Sequence, residues 1–203
     1  MAQHHPREDR LPRAGLCAIA LAQLFVAGQA VAQVSNDREE AARQCSSCHG
    51  PRGMATKQGV PHLAGQLSRY TLNQLRNYAS GQRSDPTMEG VARTLSLQDM
   101  QMISAYYAAQ RMLPTGFQAD PSKVERGKRK FSEANCTYCH RSETMGIAEN
   151  PRLAGQSSAY VVRQLLNFKY GKRTTNPNMT AATRLLTEQE IEDLAEFFAS
   201  ALQ

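Results

Sequence analysis

The sequence predicts an all-α protein built from two tandem copies of one small domain, and three observations carry that prediction. Apolar residues recur at helical spacing along the chain, with little of the strict alternation that marks a strand. A five-residue pattern, Cys-x-x-Cys-His, occurs as Cys45, Cys48 and His49 and returns 91 positions later as Cys136, Cys139 and His140. The text around the pattern repeats as well. "PHLAGQ" from Pro61 matches "PRLAGQ" from Pro151, and "QLRNYASGQR" from Gln74 matches "QLLNFKYGKR" from Gln164, both at an offset of 90. Pro86 and Met88 return 91 positions on as Pro177 and Met179. Small changes of offset between landmarks are what loop-length variation between duplicated units produces.

In chain order, residues 1–32 read as a secretory signal peptide. Arg7, Arg10 and Arg13 precede the apolar run "LCAIALAQLFVAG", too short to span a bilayer comfortably, and Ala30 to Ala32 have the small-residue spacing of a cleavage site. The mature chain is expected to begin near Gln33; the alternative is an uncleaved amphipathic anchor. Leu16, before Cys17, argues against a lipid anchor there. The predicted domains are 33–113 and 114–203, joined by a proline- and glycine-containing linker at about 111–121.

Each domain is expected to open with a helix, well marked in "KVERGKRKFSEAN" and weaker in "NDREEAARQ", where Glu40 stands at the position of Phe131 and should bury less. Middle helices are predicted from Ser68 to Ser80 and from Ser158 to Tyr170, stopped by Gly81 and Gly171. Around Pro86 and Pro177 the chain is expected to be extended. The terminal helices open with the capping boxes "SLQD" from Ser96 and "TEQE" from Thr187. Ile191, Leu194, Phe198 and Leu202 form the buried stripe of the last one.

Without the leader, the chain carries 21 basic and 16 acidic residues, a net charge of +5, with the two signs interleaved. That pattern, together with export, argues against a nucleic-acid partner. No later apolar run reaches membrane length, so no transmembrane segment is expected in the mature chain. Domains of this size gain little stability from their own apolar burial, and a large central group would help each of them.

Four of the five cysteines sit in the two repeats. In an exported chain they would ordinarily suggest two disulfides, but a disulfide has no use for the histidine that follows each pair. Zinc would need four ligands, and the pairs lie in separate repeats with no second donor pair nearby. A redox dithiol normally opens a helix in a fold with a sheet, and no βαβ pattern is visible. Covalent attachment of a c-type haem uses every part of the pattern. Two thiols bond the porphyrin vinyl groups, and the histidine offers a nitrogen to the iron.

The second axial position points to Met88 and Met179, each 39 residues after its histidine and each behind a proline, in "DPTM" and "NPNM". Met100, Met102 and Met112 have no methionine counterpart in the other repeat and are read as packing or surface residues. Met54 and Met145 correspond, but stand five residues past their histidines, and are expected to pack locally. His62 is an improbable common ligand because Arg152 is its counterpart. Pro61 and Pro151 offer either a backbone carbonyl for the free imidazole N–H or simply a rigid turn.

These residues, with the "PxLAGQ" repeats and terminal helices ending in "YYAAQ" and "FFASA", resemble the di-haem cytochromes of the cytochrome c4 family from about Asp37 to Leu202. The resemblance implies two class I cytochrome c folds, each around one covalently bound haem, histidine and methionine at each iron, and periplasmic electron transfer. It also implies a rotation between the domains that brings the haem edges together. The chain departs from the pattern in its glutamate-bearing first helix and in Arg141, where the first repeat has Gly50.

Two fully coordinated irons favour outer-sphere electron transfer over substrate chemistry, at fairly positive potentials. The leading expectation is a periplasmic carrier of single electrons from a membrane-bound donor towards a terminal oxidase or other reductase. Arg52, Lys57, Arg141 and Lys172 would either steer docking onto acidic partners or form an ordinary solvated face. The alternative is a cytochrome subunit of a periplasmic dehydrogenase. A di-haem peroxidase would need one iron able to open, against which two equivalent methionines argue.

Overall fold

The computed structural model describes residues 33 and 36–201. The leader reading and Leu202 of the terminal stripe therefore lie outside the described residues. Within them the chain is helical, with one isolated antiparallel bridge between Ile147 and Asn150.

The first copy runs through α1 (residues 36–42), a 3-10 turn at Arg43–Cys45, α2 (Ser46–His49), α3 (Ser68–Ala79), α4 (Pro86–Arg93) and α5 (Leu97–Ala109). The second repeats the order as α6 (Pro121–Glu133), α7 (Thr137–His140), α8 (Ser158–Lys169), α9 (Pro177–Arg184) and α10 (Glu188–Ser200). Residues 111–120 between them are irregular.

Local chemistry sets the ends of these helices. Ser96 and Thr187 close reciprocal capping boxes with Asp99 and Glu190, each stabilising its helix by about 0.5–2 kcal/mol. Gly81 and Gly171 turn the chain out of α3 and α8 at φ +74° and +68°, a left-handed backbone that favours glycine. The expectation of extended chain at the methionines is corrected: only Asp85 and Asn176 are extended, at φ −165° and −146°, and the helix begins at the proline itself. Proline disfavours helical backbone in the residue before it, yet its own φ is already that of a first helical residue.

The second copy has the larger core. Phe131, Val161, Leu186, Ile191, Leu194, Ala195 and Phe198 are buried together, with Phe131 edge-on to Phe198 at 5.4 Å between ring centroids. Helix α6 crosses α10 so closely at Gly127 that a Cβ there would lie 2.0 Å from the Asp193 carbonyl oxygen. Arg126 grips the buried Asp193 carboxylate with two bonds of 2.7 and 2.8 Å, which hold that carboxyl below its usual pKa range. In the first copy α1 leaves residues 36–40 exposed, Glu40 among them, and contributes Ala42 to a smaller cluster with Leu75, Met100, Ile103 and Tyr107.

A seam of reciprocal hydrogen bonds joins the copies. The Gln66 amide donates to the Arg152 carbonyl and accepts from the Arg152 N–H, both at 2.9 Å. Gln156 does the same to His62 at 2.9 and 2.8 Å. The Arg152 guanidinium reaches the carbonyls of Ala64, Gly65 and Ala154, and burial pushes its pKa down to about 10. Farther along, Arg83 donates to Gln74, Gln164 and Tyr160, and Arg173 donates to Gln164, Gln74 and Tyr70.

Two outcomes follow from this packing. Gly127→Ala should destabilise the second domain by about 2–3 kcal/mol, read as a lower denaturation midpoint of the holoprotein, because the clash is with backbone. Arg141 sits at φ 62° and ψ 159°, the conformation Gly50 adopts in the first copy at φ 72° and ψ 168°. Arg141→Gly should therefore stabilise by about 1 kcal/mol, the relief of strain outweighing the added chain entropy.

Candidate haem-binding sites

Each Cys-x-x-Cys-His pattern folds into a single helical turn. Cys45 and Cys136 stand at the N-caps of α2 and α7 with helical backbone, and the second cysteine and the histidine lie three and four residues on. That spacing brings all three side chains to one face. The turns end where Gly50 and Arg141 reverse the chain, their N–H groups closing on the carbonyls of Ser46 and Thr137 at 2.9 Å.

His49 and His140 are buried, and each places Nδ1 3.0 Å from a proline carbonyl, that of Pro61 and Pro151 respectively. The carbonyl role is thus the one these prolines fill. Burial lowers both imidazole pKa values and the carbonyl bond pulls them only partly back, so the rings are neutral near pH 7. A carbonyl can only accept, so Nδ1 carries the proton and Nε2 keeps its lone pair. This is the tautomer that binds iron through Nε2.

No disulfide joins Cys45, Cys48, Cys136 or Cys139, and burial raises the thiol pKa values of Cys45 and Cys136. A redox dithiol works through a depressed pKa, so this environment opposes that reading. Among the described residues no group of three or more His, Cys, Asp or Glu side chains is placed to hold a metal ion.

Met88 and Met179 occupy the third position of α4 and α9. Their N–H groups donate to Asp85 Oδ1 and Asn176 Oδ1, both at 3.1 Å, so the N-cap that starts each helix also fixes the methionine backbone. Met88 and Cys45 border the same apolar cluster, and Cys136 borders that of the second copy. Of the other methionines, Met100 is buried in the first core, and Met145 is 45 % exposed, so the expected local packing does not cover it. The donors fit a haem in both copies: two thiols within one turn, an imidazole with its far nitrogen available, and a half-buried thioether at a fixed helix start.

Sequence reasoning missed the seam. Its signal was present in the repeats, since Gln66 and Gln156, Gln74 and Gln164, and Arg83 and Arg173 are all polar pairs at an offset of 90 that the apolar helical stripe does not require.

The cytochrome c family profile matches residues 28–111 and 124–201. Cytochrome c4 of Pseudomonas aeruginosa is 35% identical over 160 residues, covering 74% of this chain and 79% of that protein. A thiosulfate dehydrogenase electron acceptor of Stutzerimonas stutzeri is 33% identical over 210 residues and covers 95% of both. The crystal structure of reduced recombinant cytochrome c4 from Pseudomonas stutzeri superposes with a TM-score of 0.75 at 29% identity, covering 81% of this chain and 97% of that one. With both copies matched and the fold shared across nearly all of a di-haem cytochrome c4, this chain belongs to the cytochrome c4 family of electron-transfer proteins and carries two covalently bound c-type haems.

Proposed function

We propose that Cys45 and Cys48 bond one haem and Cys136 and Cys139 the other, with His49 and Met88, and His140 and Met179, as the axial ligands. The observation that carries this reading is the duplication of the whole ligand apparatus. In both copies a buried imidazole donates to a proline carbonyl, and a methionine is anchored by an N-cap side chain. The haem supplies a one-electron couple. The protein's part is to fix the imidazole tautomer, keep water from both faces and favour the reduced iron with a soft thioether.

With both axial positions filled, the chain carries single electrons rather than transforming a substrate. Its place is the periplasm, between a membrane-bound donor and a terminal oxidase or other reductase; the leader reading supports export, and no described helix is long and apolar enough to cross a membrane. A second reading, acceptor for a periplasmic dehydrogenase, draws on the likeness to the thiosulfate dehydrogenase electron acceptor. The domain limits 33–113 and 114–203 belong to the same proposal.

Haem quantified per chain should give two. Met88→His should lower one of two midpoint potentials and remove about half of the far-red methionine-to-iron band, with Met179→His doing the same to the other haem. If neither substitution alters the band, these methionines are not the ligands.

Arg52 and Lys57 are exposed beside the first attachment turn. Charge reversal at both should slow association with an acidic partner by about tenfold at low ionic strength, a difference that high salt removes. Stopped-flow reduction by a purified thiosulfate dehydrogenase, run beside oxidation by a terminal oxidase, separates the two partner readings.

A further inference from the structure

The helices that bear the two methionines are braced differently. In the second copy, Lys169 ends α8 and reaches across to α9, where Nζ donates to the Arg184 carbonyl at 3.2 Å and the Leu186 carbonyl at 2.7 Å. These oxygens belong to the last residue of α9 and the second residue beyond it, where a helix leaves carbonyls without partners and favours a cation. From there a line of bonds runs back to the methionine. The Leu186 N–H donates to the Thr183 carbonyl at 3.1 Å, and the Thr183 hydroxyl donates to the Met179 carbonyl at 2.8 Å. The Met179 N–H in turn donates to Asn176, so the methionine backbone is held on both sides. Thr183 is only 1% exposed and Lys169 is half-buried, which shields the line from water.

The first copy keeps the N-cap bond and lacks the rest. Ala79 stands at the position of Lys169 and Ala92 at that of Thr183, and an alanine side chain donates nothing. Gly90 stands in the middle of α4 where α9 has Ala181, and glycine weakens a helix interior. The end of α4 is closed locally by Thr94, whose hydroxyl turns back to the Val91 carbonyl at 2.8 Å. Glu89 compensates at the start of the helix, accepting from Ser84 and the Asp85 N–H and pairing with Arg93 at 2.9 Å. Those bonds fasten α4 to itself and to the residues just before it. They do not tie it to α3 as Lys169 ties α9 to α8.

We propose that Lys169 and Thr183 are positioning residues for the second axial methionine, and that the first iron, served by neither, is where a small neutral nitrogen ligand displaces the thioether first. The proposal rests on the reading of Met88 and Met179 as the axial ligands. A methionine leaves the iron when the segment that bears it opens locally, so its displacement costs whatever holds that segment in place. Lys169 adds to that cost from a distance, through carbonyls five and seven residues past Met179. The smaller apolar cluster and exposed α1 of the first domain act in the same direction.

The test is a titration of the oxidised holoprotein with imidazole, followed at the far-red methionine-to-iron band, with haem per chain measured on each sample. Met88→His leaves Met179 alone to report, and Met179→His leaves Met88 alone. The imidazole concentration that halves the band should be about tenfold lower in Met179→His than in Met88→His. In the Met88→His background, Lys169→Met should lower it about tenfold, the worth of a hydrogen bond from a charged donor, and Lys169→Arg should restore most of it. Thr183→Val, which keeps the shape and removes the hydroxyl, should lower it about fivefold. Two controls should leave it unchanged: Lys172→Met, at an exposed lysine beyond α8, and Gly127→Ala, which loosens the crossing of α6 and α10 instead. Equal midpoints for the two methionines, an unaltered midpoint in a two-haem Lys169→Met protein, or an equally large fall in Gly127→Ala would each overturn the proposal. If Lys169→Met loses haem, Thr183→Val decides the matter, and an unchanged midpoint there is the overturning result. A band that survives Met88→His and Met179→His together would instead overturn the ligand reading on which the proposal rests.

Discussion

In each domain one hydrogen bond connects the Cys-x-x-Cys-His turn to everything else: the bond from a buried imidazole Nδ1–H to a proline carbonyl. It selects the tautomer and orients the ring. It also fixes the next residues of the loop, because the carbonyl that accepts it belongs to the first residue of "PHLAGQ" or "PRLAGQ". The second residue of that loop is gripped by a glutamine of the other domain, and the sixth is the glutamine that does the gripping. A displacement of the imidazole would therefore be felt in the contact between domains within a few bonds.

The two copies satisfy the same constraint with unequal means. The second encloses its Cys-x-x-Cys-His turn with α6 packed tightly on α10, where Gly127, Phe131 and the Arg126–Asp193 pair meet. The first has a short, largely exposed α1 and a smaller cluster, and Tyr107 donates at 3.4 Å to the Ala42 carbonyl. Small domains depend on what they enclose. The first therefore relies more heavily on its haem and on the seam than the second does.

Much of this was legible in the sequence because the determinants are local or periodic. The two haems follow from a five-residue pattern written twice, and the terminal helices from capping boxes that the structure reproduces bond for bond. The proline carbonyls were open to two readings, and distance decided between them. The methionine segments were misread because the proline rule for the preceding residue was extended to the residues that follow, although proline itself is well suited to the first turn of a helix. The seam stayed hidden because it joins residues far apart in sequence, such as Gln66 with Arg152, through polar atoms that carry no hydrophobic period.

The exchange across the seam has the logic of an isologous interface, in which residue i of one unit meets residue j of its mate and j meets i. Gln66 binds the backbone at 152 as Gln156 binds the backbone at 62. A single domain of this kind carries both halves of that handshake and is complementary to itself. Joining two such units through residues 111–120 replaces an association that depends on concentration with one that does not. It also frees the two sides from being identical. The position after the proline has already used that freedom, as histidine in one half and arginine in the other.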